Sequence, residues 1–387
     1  MPNVAHVGVL APEVFINGRF LTQRVTGVQR YARETILCLD EALASGEGED
    51  IRWTLLVPRG TSVPAFRHIM VKSVGRLQGH LWEQLELPWY ARKGLLVSFG
   101  LTGPLAKRRQ IITMHDAAVI RIPQAFNWRF RLWQRFLVGR IVARSPQTIA
   151  VSRFAAEEAT ACYGVPPERL RLTTEGWQHL DRLTPDDSIL DRHGLRDQAF
   201  ALAVSSPTPN KNFAAIAQAI GILGRSAPRC VVAGSADPAI FRTAGKASDS
   251  IVRLGYVTDQ ELKSLYLHAS CFIFPSFYEG FGIPPLEAMS CGCPVLASTA
   301  PAVREVCGDA PLYFDPSRPE ELAQRMQAVF ADGALRERMV SAGLARAQLY
   351  SWSRSATLNL SFVREALFNP QAYEARQQVT QASASQL

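Results

Sequence analysis

At 387 residues the chain exceeds the ~250 residues at which a single hydrophobic core stops growing, so two domains are expected. Hydrophobic residues make up 47% and charged residues 20%, with mean hydropathy near zero; no apolar run approaches the ~20 residues that span a bilayer, which excludes a membrane-spanning helix. Residues 1–180 hold 23 of the 42 Lys and Arg but only 14 of the 34 Asp and Glu, a net +9 beside −1 for the rest, so an anionic partner is expected there, either a phosphate-bearing acceptor or a membrane surface.

The opening stretch MPNVAHVGVLAPEVFING has no charged residue ahead of its apolar part, and no secretory signal is expected. Short apolar runs with polar or glycine ends follow: AHVGVLAP (5–12), RWTLLVP (52–58), LLVSFG (95–100), RQIITMHD (109–116) and QTIAVS (147–152). Spaced for intervening helices, they predict a Rossmann-like domain over residues 1–180. Within it Gly27, in RVTGVQRYARE, directly precedes a helix and lets backbone N–H groups approach a ligand. His115 ends a strand, where such sheets meet ligands. In residues 121–144, helical spacing puts Phe126, Phe130, Trp133, Leu137 and Ile141 on one stripe against the core. Trp128, Leu132, Val138 and Val142 lie elsewhere, mixed with Arg131 and Arg135. A helix apolar on two sides and basic as well fits a membrane interface, or a core helix with snorkelling arginines.

A polar, turn-rich segment places the linker at 181–197. A second Rossmann-like domain is expected over 198–350, from strands at 199–206, 230–234, 250–257, 271–274 and 310–316 alternating with helices. Thr258 with Glu261 forms a capping box at one helix start. A helix over 351–368 is expected to return to the first domain, and the tail 369–387, poor in large apolar residues, to be disordered. Seven cysteines without framework spacing suggest a reducing cytoplasm, and CGC at 291–293 has the wrong spacing for a zinc site.

The stretch CFIFPSFYEGFGIPPLEAMSCGCPVLAS (271–298) has a βαβ layout, whose ligands sit beyond the carboxyl ends of the strands. Pro284 or Pro285 suits the first helical position, and Gly280 and Gly282 let the backbone approach an anion at the helix start. Glu279 is expected on the loop and Glu287 about one turn into the helix, both facing one cleft. Carboxylates repel phosphate but accept hydrogen bonds from hydroxyls. A ligand with hydroxyls on both sides of a diphosphate, a nucleotide sugar, is therefore implied, one glutamate serving the sugar and the other the ribose. Lys211, in SSPTPNKN after the first strand of this domain, is a candidate to neutralise the diphosphate.

Taken together these residues resemble a known family. YEGFGIPPLE, with seven residues between its glutamates, followed by AMSCGCPVLAS, is similar to the signature of retaining glycosyltransferases of family 4, which have the GT-B fold: two Rossmann-like, doubly wound α/β domains facing a cleft. TMHDAAVIRIP resembles the histidine loop of that family, and AVSRFAAEEATACYGVPPERLRL, PTPNKNFAAIAQAI and LGYVTDQELKSLYLHASCFIFPS resemble further segments in the same order. The matches run over roughly residues 17 to 350. GHLWEQLELP (79–88) and NGRFLTQRVTGVQRYA are similar to bacterial mannosyltransferases that assemble surface polysaccharides.

The resemblance implies Glu279, His115 and Lys211 as the catalytic group. It implies donor contacts from Gly27, Ser206, Lys211, Glu279, Gly280, Phe281, Gly282, Ile283 and Glu287. It also implies transfer of a hexose, mannose from GDP-mannose, to a glycan or lipid-linked saccharide acceptor. No cofactor, metal or nucleic acid is expected, and the location expected is cytoplasmic, peripheral on the inner membrane. Two departures stand out. Relatives carry an arginine five or six residues before the lysine, where this chain has Ser205 and Ser206, and Asn210 replaces a second arginine; Arg30 is a candidate substitute cation. TTEGWQHL also puts an extra acid, Glu175, near the cleft. With no carboxylate placed beneath the anomeric carbon, front-face attack is favoured over double displacement. A sugar-nucleotide epimerase of the same fold would need an acid/base pair flanking the sugar C2, and a non-catalytic nucleotide-sugar-binding protein would not need the intact set of Glu279, Glu287, Lys211 and His115.

Overall fold

The computed structural model describes residues 11–205, 208–234 and 250–368, and among them thirteen strands pair in parallel within two sheets. In the first sheet β1 (Glu13–Asn17) lies beside β2 (Arg52–Pro58), β2 beside β3 (Met70–Val74), and on its other side β1 meets β4 (Leu95–Ser98), followed by β5 (Gln110–Met114), β6 (Thr148–Ala150) and β7 (Leu170–Leu172). The second sheet repeats the plan: β8 (Phe200–Ser205) runs out through β9 (Arg229–Gly234) to β10 (Ile251–Gly255), and on the other side through β11 (Cys271–Phe274) and β12 (Val295–Ser298) to β13 (Leu312–Phe314). Each sheet thus reverses its strand order once, between β1 and β4 and between β8 and β11. Ligands of open α/β sheets bind at those points, outside the carboxyl ends of the strands.

The central strands β2, β4, β5, β8 and β11 are readable because they are buried on both faces and so run continuously apolar; β1, equally central and buried, is not among the expected strands. The edge strands β3 and β7 lack that signal: four of the five β3 residues are exposed. The run 5–12 lies largely outside the described residues, and the first described strand begins directly after it. Ser206 and the tail 369–387 also lie outside them.

One face of the first sheet, with Val14, Ile16, Leu95 and Val97, packs on Tyr31, Ile36 and Leu39 of the helix Gly27–Ala44. The C-terminal helix Trp352–Phe368 lies against that same helix, with Trp352, Leu360 and Val363 in the shared core. The opposite face is covered by Trp82, Leu87 and Ala91 over Phe15, Leu56 and Leu96, and by the helix Trp128–Arg144 over Ile112 and Met114.

The long helix corrects the expected stripe. Leu137 and Ile141 are buried, together with Val138 and Val142, but Phe130 and Trp133 are exposed. A 17-residue helix is ~25 Å long, whereas the five-residue β5 beneath it rises ~17 Å. The first two turns overhang the sheet, and both of their faces meet solvent.

Candidate active site

At the reversal between β8 and β11, two loops are pinned to each other. After β8 the chain makes a tight turn, Pro209–Lys211, and Asn212 takes φ +51°, a left-handed conformation that asparagine tolerates. The Asn212 side-chain amide donates to the carbonyls of Pro275 (3.2 Å) and Pro316 (2.7 Å), and that of Asn210 to the carbonyl of Tyr278 (3.2 Å). Lys211 Nζ is thereby brought 2.6 Å from Glu279 Oε1, an ion pair of two half-buried groups. The helix Ile283–Ser290 then starts from Gly282, whose φ of +111° requires glycine. Pro284 and Pro285 in its first turn carry no N–H, so Gly282 and Ile283 keep the amides that this terminus offers to an anion.

The facing wall comes from the first domain. Gly27 begins the helix Gly27–Ala44, and a Cβ there would sit 3.7 Å from Ile283 Cδ1, so the starts of two helices oppose each other across the gap. Their positive ends reinforce one another toward any anion between them. His115, just past β5, packs its carbonyl directly on Gly280: a Cβ at Gly280 would lie 1.6 Å from that oxygen. Ser152 Oγ donates to the Gly280 carbonyl (2.6 Å), and Tyr278 OH accepts from Ala117 N (2.9 Å) while donating to Glu158 (2.9 Å). Glu305 of the second domain caps the helix Arg153–Tyr163 of the first through the amides of Arg153 (2.8 Å) and Phe154 (3.0 Å).

Glu287 is more enclosed than expected. Its Oε1 accepts from His179 Nε2 (2.9 Å) and its Oε2 from Tyr266 OH (3.0 Å), and it is buried. The Trp352 indole, a donor only, gives its N–H to His179 Nδ1 (3.1 Å), so the imidazole proton sits on Nε2 and points at the carboxylate. Burial pushes the Glu287 carboxyl up, but His179, the charge of Arg30 and the Tyr266 hydroxyl outweigh it and hold it below the usual carboxylate range. Two lone-pair positions per oxygen still leave it acceptor capacity for a hydroxyl. His179 and Tyr266 escaped the sequence reading: a lone histidine just ahead of the turn-rich linker and a tyrosine inside an amphipathic helix carry no periodic signal.

The extra acid Glu175 has a partner in His115. Nε2 of His115 donates to the Phe99 carbonyl (3.0 Å), leaving Nδ1 facing Glu175 Oε1 at 3.3 Å. That second contact is a hydrogen bond when the pair holds one more proton, on the ring or the carboxyl. Burial raises the Glu175 carboxyl, as do the charges of Glu279 and Glu287, against the hydrogen bond from His115. Arg30, the candidate substitute cation, holds Asp259 in the first turn of the helix Asp259–His268 (2.6 and 2.7 Å). That helix opens with the capping box of Thr258 and Glu261.

Residues 48–176 match the family described as Glycosyltransferase Family 4, and residues 186–346 that described as Glycosyl transferases group 1. O-antigen chain mannosyltransferase B of Escherichia coli is 30% identical over 271 residues, 67% of this chain and 71% of that protein. O-antigen chain mannosyltransferase RfbU of Salmonella typhimurium is 28% identical over 231 residues, 59% of this chain and 62% of that one. In fold, sucrose-phosphate synthase of Thermosynechococcus elongatus superposes with a TM-score of 0.72 at 20% identity, over 92% of this chain and 99% of that one. With both halves matched and two thirds of the sequence aligned to one relative, the chain belongs to the group 1 and family 4 glycosyltransferases and has their GT-B fold.

Proposed function

We propose that the enzyme transfers mannose from GDP-mannose, with retention of configuration, to a saccharide or lipid-linked saccharide in the assembly of a surface polysaccharide. The observation that carries this reading is the pairing of Lys211 with Glu279 beside two opposed helix starts, one cation and several amides for a diphosphate next to acids for hydroxyls. Mannose and the polysaccharide context rest on the names of the two relatives. Glu279 accepts from the sugar, Glu287 from the ribose, and the departing diphosphate takes the proton of the acceptor on the same face. Charge then grows on the leaving oxygens, where Lys211 and the amides of Gly282 and Ile283 act most strongly. Thermal-shift measurements across a panel of nucleotide sugars test the donor. GDP-mannose is expected to raise Tm more than UDP- or ADP-linked hexoses at equal concentration, since stabilisation follows ligand concentration over Kd; a shift from UDP-sugars alone would replace the donor assignment.

The enzyme also works against an anionic membrane in this reading. No helix among the described residues is long and apolar enough to cross a bilayer, but two surface segments carry large exposed apolar side chains at intervals of four: Leu81, Leu85 and Trp89 in the first, Trp128, Leu132 and Phe136 in the second. The register of β4 with β5 sets Ser98 beside Ile112, so the sheet residues under both segments belong to one face, and both stripes lie on one side of the domain. Arginines stack over their aromatic rings, Arg92 on Trp89 at 4.4 Å, Arg129 on Trp128 at 5.4 Å and Arg140 on Phe136 at 5.1 Å. Rings flanked by cations suit the headgroup region. The protein is expected to co-float with phosphatidylglycerol vesicles at low salt and to dissociate at high salt; absence of flotation at low salt would end this part of the reading.

A further inference from the structure

The strand reversal of the first domain, between β1 and β4, holds a polar cluster that the donor site does not use. Asn17, the last residue of β1, donates from Nδ2 to Glu83 Oε1 (2.9 Å) and to Ser98 Oγ at the end of β4 (3.2 Å). Arg19 donates from Nε to the same carboxylate oxygen (3.0 Å) and from an Nη to Thr102 Oγ1 (2.9 Å), whose hydroxyl donates to Glu83 as well (3.1 Å). His80 Nδ1 meets the other oxygen, Oε2, at 3.2 Å. Glu83 is fully buried and comes from the π-helical turn Trp82–Glu86, a local irregularity found frequently at functional sites. Burial pushes its carboxyl up, but His80, Arg19 and Asn17 outweigh that and keep it ionised.

We propose that this cluster is the acceptor subsite, binding the hydroxyls of a hexopyranoside through Arg19 and His80, with Glu83 as the buried group that orients both. Arg19 Nη1 has no hydrogen bond among the described residues, and His80, 46% exposed, meets Glu83 through Nδ1, so that its neutral ring, with the proton on Nδ1, offers Nε2 as an acceptor on the far edge. A donor and an acceptor oriented by the same carboxylate suit the hydroxyls of a sugar, which both donate and accept. Because Glu83 neutralises Arg19, an alcohol is favoured over a phosphate. The cluster also joins the donor site through one loop: Phe99 holds His115 by its carbonyl, and a Cβ at Gly100 would lie 3.5 Å from Val28 in the first turn after Gly27. Gln84, in the same π turn, clamps the far end of that loop through the Gly103 carbonyl (2.9 Å) and the Leu105 amide (3.0 Å). Leu81 and Leu85, exposed on the same segment, would take the alkyl chain of a lipid-linked acceptor.

This inference rests on the transfer reading, so its test separates acceptor from donor. Binding of octyl α-D-mannoside to the full chain is titrated in the presence of GDP, for the wild type, His80→Ala and Arg19→Lys, and GDP binding is measured for each by thermal shift. The exposed His80 can be removed without unfolding, and Arg19→Lys keeps the buried charge pair while losing the fork geometry. Both variants are expected to weaken mannoside binding by ~10-fold, the loss of one oriented hydrogen bond, with the GDP shift unchanged. No mannoside binding by the wild type, or binding by both variants as tight as that of the wild type, overturns the subsite; the expected mannoside pattern with no GDP shift in the wild type overturns the donor reading instead.

Discussion

Gly280→Ala is expected to lower kcat/KM by at least ~100-fold while leaving both domains folded. The new Cβ would lie 1.6 Å from the carbonyl oxygen of His115 and 2.6 Å from its carbon, backbone atoms that no side-chain rotation moves aside. The loop after β11 must then part from the loop after β5 by more than 1 Å. That separation also stretches the bonds from Ser152 Oγ to the Gly280 carbonyl and from Ala117 N to Tyr278 OH. Misplacement of this size is worth on the order of 100-fold in rate where two reactants are held by opposite walls. Steady-state turnover and thermal unfolding measured together check it: activity should collapse while a cooperative unfolding transition is retained. Gly139→Ala is the control. Among the described residues, the backbone of its own helix aside, nothing lies within 4 Å of a Cβ added there on the helix Trp128–Arg144, so it should leave turnover unchanged. Wild-type turnover in Gly280→Ala would mean that catalysis does not need this contact between the domains.

The same contact shows where a sequence stops being readable. Strands buried on both faces announce themselves as continuous apolar runs, so β2, β4, β5, β6 and most of the second sheet were legible at once, and parallel pairing followed from the helices between them. β3 and β7 border solvent and had no such signature. The helix Trp128–Arg144 was readable as a helix but not in its orientation: periodicity ranks faces, and only the length of the strands beneath shows that the first two turns overhang.

For the site, glycines and prolines marked the loops correctly, because a positive φ or a missing N–H is a local property. Gly282 at φ +111° and Pro284 and Pro285 in the first turn that follows are of that kind. Partners distant in sequence were not legible. His179 and Glu287 are 108 residues apart and Trp352 and His179 173, and nothing local in TTEGWQHL shows that one histidine will join the C-terminal helix to a carboxylate of the donor wall. Arg30 illustrates the converse. Its charge suggested a phosphate ligand, but the fold sets it on Asp259 of the opposite domain, where it spans the two lobes.

The Lys211–Glu279 pair carries the other large effect. Nζ and Oε1 stand 2.6 Å apart, with the ammonium 5.6 Å from the centre of the Phe274 ring, so one lysine is held between an acid and an aromatic face. In the proposed reaction a diphosphate bearing at least two charges competes with a single carboxylate for that ammonium and takes it, since attraction scales with the product of the charges. Glu279 is then released to accept a hydrogen bond from the sugar. Lys211→Ala is expected to lower kcat by ~100- to 1,000-fold, the range for removing one fixed donor to developing charge, with a smaller rise in KM for the donor. Lys211→Arg should recover only part of this, because a planar fork does not reproduce a compact point charge. Glu279→Ala should lose activity to a similar degree. The double variant should lose less than the product of the two single losses, because each single change also strands the other partner. Steady-state kinetics at saturating acceptor read all four. Turnover of Lys211→Ala within ~10-fold of wild type would remove the lysine from the reacting centre, and multiplicative losses in the double variant would show that the ion pair has no part in the cycle.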